Sequence, residues 1–249
     1  MSGFSADWLT LREPADAAAR SRALVSYVSR SGRFLDLGGG TGANVRYLTP
    51  LLPSPQQWTL VDNDPQLLAR VAPNVDTRCL DLTAVVHDDG VFDGRALVTA
   101  SALLDLVSET WLAALVLRCR AAHASVLFAL SYDGRIECSP AEPEDEEVRR
   151  LVNAHQTTDK GFGPALGPDA STRAVARLSA AGYDVKQERS DWVLEPGSQA
   201  LQRELIRGWA EASGPSVTAW RDRRLAHVAA GRSRIVVGHV DVAGVASRA

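Results

Sequence analysis

Three aspartates, each near the end of a short apolar segment, are the residues of this sequence best suited to bind a ligand. Asp36 lies within the first such segment, Asp62 ends the second, and Asp81 follows the third. Open parallel sheets bind ligands beyond the carboxyl ends of their strands. If the three segments are neighbouring strands, the three carboxylates converge on one cleft.

A glycine run, formed by Gly38, Gly39 and Gly40, follows Asp36 after one residue and precedes a helical pattern. Glycines let the backbone approach a ligand closely, and a helix N-terminus offers unpaired N–H groups. Taken as G-x-G-x-x-A, with Ala43 as its last member, the run also fits a dinucleotide site. The glycines alone therefore do not decide the ligand.

The charge of Asp36 favours one class of ligand. A carboxylate two residues before the glycines would repel a pyrophosphate and attract an ammonium or sulfonium group. Opposite charges about 4 Å apart gain about 1 to 4 kcal/mol between the dielectric of water and that of a protein surface. The sequence therefore indicates a cationic ligand in this cleft.

Apolar strands alternate with amphipathic helices through the first two thirds of the chain, which is typical of an α/β fold with a doubly wound, Rossmann-like sheet. We predict a seven-stranded sheet, with strands over residues 33–37, 57–62, 75–80, 96–100, 124–131, 183–194 and 233–240. We predict helices from near Pro14, over 41–49, after the Asp64-Pro65 pair, over 108–120 and over 171–180.

At the three aspartates the sequence resembles the class I S-adenosylmethionine-dependent methyltransferases. Residues 35–42 resemble the first motif of that family, residues 61–65 the second, and residues 80–82 the third. The resemblance covers about residues 33–131 and the final strands. It implies S-adenosyl-L-methionine as the cofactor.

The resemblance also implies roles for the residues that would hold the nucleoside. Asp62 would accept hydrogen bonds from both ribose hydroxyls, with Asn63 beside it. Asp81 would accept a hydrogen bond from the adenine amino group, and the backbone N–H of Leu82 would meet the adenine ring. Asp36 and the three glycines would hold the rest of the cofactor.

Further cofactor contacts follow from the same resemblance. Ala100 and Ser101, just after the fourth strand, would form the floor of the methyl-transfer site. Arg20 belongs to a helix that resembles the one often covering the cofactor in this family, and it would reach the methionine carboxylate.

The resemblance also sets the expected domain organisation. Residues 1–32 would form an N-terminal helical lid, and residues 33–249 a methyltransferase domain. Residues 133–169 and 197–231 fall outside the alternation of strands and helices, and we expect these two insertions to form a helical cap.

Methyl transfer is an in-line displacement that positioning and exclusion of water can accelerate. A hydroxyl or amine acceptor also loses a proton, and a base there contributes about 10² to 10⁴-fold. His155 is the first candidate for this base, and Tyr132 is another. Lys160 would bind an acidic group of the acceptor, and Phe162 would wall the pocket. Residues 155–164 are expected to form a lid over the acceptor.

The composition bears on the partners. The chain carries 27 basic and 30 acidic side chains, a net charge of −3, so it lacks the basic field that holds nucleic acid. An Asn/Asp-Pro-Pro-Tyr tetrad, which marks amino-methylating DNA enzymes, does not follow the fourth strand. We therefore expect a small-molecule acceptor, methylated on oxygen or nitrogen in preference to carbon.

The sequence lacks the patterns of a membrane span, a signal peptide and a metal site. No apolar stretch approaches the ~20 residues of a membrane span, and we see no signal-peptide pattern, so we expect a cytoplasmic protein without a membrane partner. The three cysteines and five histidines lack metal-ligand spacing, so we assign no metal. The sequence carries no signal for the oligomeric state.

Two other functions remain open from the residues. The first is a non-catalytic protein that binds S-adenosylmethionine or S-adenosylhomocysteine as a sensor or scaffold, and a cap without convergent polar groups would favour it. The second is an NAD(P)-dependent oxidoreductase, against which the charge of Asp36 argues.

Overall fold

The computed structural model describes residues 5–246, apart from the side chain of Asp89. Its centre is one sheet in the order β3-β2-β1-β4-β5-β8-β6, with β7 also paired to β8. The strands are β1 (Gly32–Leu37), β2 (Gln56–Asp62), β3 (Asp76–Cys79), β4 (Leu97–Ser101), β5 (Ser125–Ser139), β6 (Tyr183–Arg189), β7 (Trp192–Leu194) and β8 (Arg234–Ala246).

The predicted α/β class and the doubly wound sheet are confirmed. Strands β1 to β5 pair in parallel, and β8 runs antiparallel to β5, β6 and β7. The sheet has eight strands where we predicted seven, because the strand predicted over 183–194 stops at Arg189 and resumes at Trp192. Since β6 and β7 pair with successive stretches of β8, they share one position at the edge of the sheet.

The helices are α1 (Ala6–Ala19), α2 (Arg22–Tyr27), α3 (Ala43–Leu48), α4 (Pro65–Leu68), α5 (Asp89–Phe92), α6 (Glu109–Ala121), α7 (Asp145–Gln156), α8 (Ala170–Ala180), α9 (Gln199–Ser213) and α10 (Thr218–Ala229). None of the helices within residues 5–246 combines the length and apolar character that a bilayer span requires.

Both faces of the sheet are covered because neighbouring residues of a strand point in opposite directions. Leu35 belongs to a hydrophobic cluster with Trp111 of α6 and Leu178 of α8. Phe34 belongs to a cluster on the opposite face, together with residues of α2 and α3 such as Leu24. Since Asp36 is two residues from Phe34, its side chain lies on the α2 and α3 side.

The largest differences between predicted and observed element ends are in α1, β5 and β8. Strand β8 continues to Ala246, beyond its predicted end at residue 240, because this stretch pairs with β6. Helix α1 begins at Ala6 and contains Pro14, because the Ser5 side chain caps it by accepting the N–H of Trp8 at 3.1 Å. Strand β5 continues to Ser139, beyond the predicted end at residue 131, because its second half pairs with residues 234–240 of β8. The first insertion therefore starts as part of the sheet.

The two insertions pack on each other around a third hydrophobic cluster, which includes Val148 of α7, Ile206 of α9 and Trp220 of α10. The buried Arg224 of α10 donates to both carboxylate oxygens of Asp145, at the start of α7. The division into a lid and a domain with a cap stays a prediction. Its terminal residues, 1–4 and 247–249, lie outside the described residues.

Candidate functional site

A cavity of about 670 Å³ lies where β1 to β4 end, at the carboxyl edge of the sheet. Small-molecule sites typically measure about 300 to 1,000 Å³. Its walls are the turns that follow these strands, one face of α1, and the segment from the end of α7 to residue 162. The cavity therefore opens where an open α/β sheet is expected to bind a ligand.

Eleven of the fourteen predicted site residues line this cavity: Asp36, Gly38, Gly39, Gly40, Asp62, Asn63, Asp81, Leu82, Ser101, His155 and Lys160. Arg20, Ala100 and Tyr132 do not line it. The wall also contains residues that we did not predict as site residues, among them Leu9, Arg12, Asp16, Thr41, Asn44, Thr83, Ala102, Leu103, Leu106 and Gln156.

The turn after β1 is shaped by glycine. Gly38 and Gly40 have φ values of +64° and +52°, which side chains other than glycine rarely adopt. At Gly39 the constraint is space, because a Cβ atom would lie 2.4 Å from Leu60 Cγ and 2.6 Å from Asp36 Oδ2. The turn thus presents bare backbone to the cavity.

Asp62 fixes this turn from the end of β2. Its Oδ2 accepts the N–H of Gly40 at 2.8 Å, and its Oδ1 accepts the N–H of Asp64 at 3.0 Å. The side chain is buried, yet it lines the cavity. Because each carboxylate oxygen has two lone pairs, both oxygens keep the capacity to accept a second hydrogen bond from a ligand.

Asp36 is fully buried and only half satisfied. Its Oδ1 accepts a hydrogen bond from Asn44 Nδ2 at 2.6 Å, whereas its Oδ2 has no partner among the described residues. Burial raises the pKa of Asp36 to about 7, and the Asn44 hydrogen bond and the nearby Arg20 charge counteract that rise. Since buried polar atoms are nearly always paired, this orphaned oxygen suits a cationic ligand.

Arg20 is buried near Asp36 and does not line the cavity. Its guanidinium stacks on the ring of Tyr47, with 4.3 Å from Cζ to the ring centroid. Its Nε and Nη2 are buried without a partner in the described part of the chain. The predicted contact with a methionine carboxylate stays a prediction, because Arg20 does not reach the cavity wall in this arrangement.

Asp81 and Leu82 form the turn after β3. Asp81 Oδ1 accepts hydrogen bonds from the N–H of Thr83 at 2.9 Å and its hydroxyl at 2.8 Å, which leaves Oδ2 for a ligand. The carbonyl of Leu82 accepts the indole N–H of Trp111 at 2.8 Å. Because α6 holds this carbonyl, the backbone around Leu82 is fixed in position.

Helix α1 contributes a wall whose lining residues were not among the predicted site residues. Leu9, Arg12 and Asp16 line the cavity, and their i, i+3, i+7 spacing places them on one helix face. Arg12 donates to both oxygens of Asp16, at 2.9 and 3.1 Å, and lies over the ring of Trp192, which donates to Asp16 at 3.0 Å. The spacing was the available signal, and the contact with Trp192 is 176 residues distant in sequence.

The segment that follows α7 forms the opposite wall. His155 is largely exposed, and the partial burial of its imidazole, together with the Lys160 ammonium, lowers its pKa. Lys160 Nζ donates to the carbonyl of His155 and to the hydroxyl of Thr158, both at 3.0 Å, and lies 3.4 Å from His155 Nδ1. The first effect of Lys160 is therefore to shape this segment.

Tyr132 and Ala100 lie outside the cavity wall and pack within the protein. The hydroxyl of Tyr132 donates to Asn153 of α7 at 2.7 Å, and burial raises the pKa of the phenol far above neutral pH. Tyr132 therefore joins β5 to α7 and does not line the cavity, and its predicted role as a base stays a prediction. Ala100 is buried in the core, and its neighbour Ser101 is the residue of this pair that faces the cavity.

The topology identifies the fold. Five parallel strands in the order 3-2-1-4-5, followed by an antiparallel final strand beside β5, enclose a ligand cleft at their carboxyl edge. The chain has the class I methyltransferase fold. Within the described residues, three or more His, Cys, Asp or Glu side chains are nowhere grouped as a metal ion would require.

Comparisons with known proteins give structural likenesses only. No family profile matches the chain, and no curated protein matches it. A geranyl diphosphate methyltransferase in complex with S-adenosylmethionine is 12% identical at a TM-score of 0.49, over 98% of this chain and 92% of that one. A methyltransferase from Geobacter sulfurreducens, in complex with S-adenosyl-L-homocysteine, is 16% identical at 0.46, over 98% and 99%.

A third structure is longer than this protein. Phosphoethanolamine N-methyltransferase 2 from Haemonchus contortus, in complex with S-adenosyl-L-methionine, is 15% identical at a TM-score of 0.46. The match covers 91% of this chain and 52% of that one, so this chain spans about half its length. At such identities the likeness concerns the fold.

The burial of Asp36 predicts how stability depends on pH. Its pKa of about 7 compares with about 3.9 for an aspartate in an unfolded chain. The folded protein therefore keeps a proton that the unfolded chain releases, so the free energy of unfolding falls as pH rises from about 4 to about 7. Asp36→Asn removes this contribution, worth up to about 4 kcal/mol. Urea unfolding across this pH range measures it.

Asp105→Asn is the matched control for that measurement. Asp105 is also buried, but burial raises its pKa only to about 6. Asp105→Asn should therefore reduce the fall of the free energy of unfolding with rising pH by less than Asp36→Asn does, and only between about pH 4 and pH 6. Identical slopes for wild type and Asp36→Asn would show that Asp36 does not carry the proton.

Proposed function

We propose that the chain is an S-adenosylmethionine-dependent methyltransferase that acts on a small-molecule acceptor. The observation that carries this proposal is one cavity into which three strand-end carboxylates and a glycine turn converge. The three carboxylates are spaced along successive strands, as a ligand with a ribose, a base and a cationic centre requires. The orphaned, buried Oδ2 of Asp36 is the strongest sign of a cationic ligand.

The residues present fit this cofactor. Asp62 would hold the ribose hydroxyls, Asp81 and the N–H of Leu82 the adenine ring, and the turn at Gly38 the remaining chain. Asp36 would face the positive charge. When bound, the cofactor supplies a methyl group on a sulfonium, which an oxygen or nitrogen of the acceptor takes by displacement.

The acceptor would occupy the rest of the cavity. Leu9, Ala102 and Leu106 line it with apolar surface, and Arg12 and Asp16 add a charged pair that Trp192 holds in place. These groups would exclude water and orient the acceptor, which supply much of the acceleration in such displacements. We propose His155 as the base that takes the proton of the acceptor, because its lowered pKa keeps the imidazole neutral near pH 7.

Two alternatives are distinguished by the same site. A dinucleotide would bring a pyrophosphate towards the glycine turn, where the Asp36 carboxylate repels it. A sensor or scaffold would need the carboxylates but not a base or a cap with convergent polar groups. The presence of Arg12, Asp16 and His155 in the cavity wall supports an enzyme.

The function is tested by binding and by transfer. We expect calorimetric titration to show binding of S-adenosylmethionine and S-adenosylhomocysteine but not of NAD. We expect label from methyl-tritiated S-adenosylmethionine to enter a component of a fractionated metabolite extract, and not with heat-treated protein. Binding without transfer to any component would support the sensor, and NAD binding alone would contradict the proposal.

The ribose contact predicts a loss of affinity. Asp62→Ala should remove two charge-assisted hydrogen bonds to the ribose, each worth at most about 1.5 to 3 kcal/mol, and it also frees the N–H of Gly40. The affinity for S-adenosylhomocysteine, measured by calorimetry, should fall, and each 1.4 kcal/mol of lost binding free energy corresponds to about a tenfold decrease.

Asp64→Ala is the control for the ribose prediction. Asp64 also lines the cavity, but its carboxylate caps α4 by accepting the N–H groups of Gln66 and Leu67. This variant should lose some stability and keep its affinity. Unchanged affinity in a folded Asp62→Ala protein would reduce Asp62 to a turn residue.

The proposed base predicts a change in turnover. With the acceptor found by label transfer, His155→Ala should lower kcat by about 10² to 10⁴-fold and leave the affinity for S-adenosylhomocysteine unchanged. In the wild type, kcat should fall at acid pH, where the imidazole is protonated. Gln156→Ala is the control, because Gln156 also lines the cavity but cannot take a proton. Wild-type kcat in His155→Ala would reject the assignment.

A further inference from the structure

The side chain of Phe162 places an aromatic hydrocarbon ring in the wall of the cavity. Among the lining residues that the structure describes, it is the one Phe, Tyr or Trp. It belongs to the first insertion and lies 80 residues beyond Leu82 in sequence. No strand-end motif predicts it.

The ring of Phe162 is joined to the turn after β3 through Trp111. The Phe162 and Trp111 rings lie edge to face, with centroids 5.6 Å apart and planes at 78°. The indole N–H of Trp111 in turn donates to the carbonyl of Leu82 at 2.8 Å. Phe162 therefore stands on the Leu82 side of the cavity, in contact with the same hydrophobic cluster as Leu82 and Leu103.

The segment 157–163 is built to hold this ring. Asp159 Oδ1 accepts the N–H of Gly161 at 2.6 Å and that of Gly163 at 3.0 Å. The two glycines have φ values of +100° and +87°, which permit the tight turn. Lys160 closes the segment by donating to the carbonyl of His155 and the hydroxyl of Thr158.

The chain just after this segment is also hydrogen-bonded to the loop that precedes α6. The N–H of Leu166 donates to the carbonyl of Val107 at 2.9 Å, just before α6 begins. With Trp111 at one point and Val107 at another, the segment is attached to the same helix start. The wall is therefore held by hydrogen bonds and ring packing within the protein itself.

We propose that Phe162 is the aromatic wall of the nucleobase subsite and that residues 157–163 shape the cofactor part of the cavity. The inference rests on the proposed function, in which Asp81 and Leu82 hold the adenine ring. An aromatic side chain packs well against the π face of a purine, and the aliphatic side chains of Leu82 and Leu103 add apolar surface there. The segment thereby differs from the acceptor lid expected from sequence.

Calorimetry with two probes tests the proposal. S-adenosylhomocysteine and adenosine share the nucleobase, but only the first carries the amino acid chain. Phe162→Ala should weaken both by a similar factor, about 5- to 150-fold. Phe162→Trp, which keeps an aromatic face, should restore much of the affinity for both probes.

Two further variants separate a direct contact from loss of fold. Phe162→Leu keeps apolar packing against Trp111 but removes the π face, so it should show part of the loss while the urea unfolding transition stays near that of wild type. Leu117→Ala, which removes an exposed aliphatic side chain of α6, should leave both affinities unchanged.

The possible results separate a failure of the inference about Phe162 from a failure of the proposed function. If wild type binds both probes and Phe162→Ala binds them equally well, the inference fails while the proposed function stands. A loss for S-adenosylhomocysteine alone also overturns it, because Phe162 would then face the amino acid chain. If wild type binds neither probe, the proposed function fails, and the inference fails with it.

Discussion

The hydrogen bond from the N–H of Gly40 to Asp62 connects the ends of β1 and β2, and the shape of the site depends on it. The turn after β1 has no side chains of its own to hold it, so its conformation comes from this bond at 2.8 Å and from the carbonyl of Val61, which accepts the N–H groups of Gly38 and Gly39. A carboxylate in this place both orders the turn and keeps lone pairs for a ligand. Asp62 thus sets the shape of the turn and is the residue that we propose as the ribose ligand.

Buried polar groups around this turn are left without partners, and this is unfavourable for the protein alone. Asp36 Oδ2, Asn44 Oδ1 and two nitrogens of Arg20 are buried and unpaired within residues 5–246. Each such group costs about 1 to 3 kcal/mol relative to a satisfied one. Unpaired buried atoms also occur elsewhere in the described residues, for example in Gln202 and His239. Asp36 and Asn44 line the cavity and Arg20 does not, so a ligand bound there would pair the oxygens of Asp36 and Asn44.

The sequence predicted those parts of the molecule that depend on neighbouring residues. Strand ends with aspartates and the glycine turn were found because the chemistry lies within a few residues of one strand. The residues of α1 that line the cavity were not named, and Phe162 was expected beside the acceptor, because the positions of both depend on Trp192 and Trp111, which are distant in the chain. The extension of β5 to Ser139 was missed for the same reason, since pairing with β8 determines it.

The two walls of the cavity are held by different contacts. Helix α1 contains no fully buried side chain, and it is fixed by the Asp16 contacts to Trp192 and by a bidentate ion pair between Glu13 and Arg46 of α3. Exposed ion pairs of this kind contribute little, about 0 to 1 kcal/mol. Residues 157–163 are instead fixed by backbone hydrogen bonds and by a ring packed on the core. Apolar packing adds to the contacts of α1, because Trp8, Leu11, Ala15 and Ala19 pack against the third hydrophobic cluster. Since local opening must break the apolar contacts of the segment that moves, both walls are anchored by apolar as well as polar contacts.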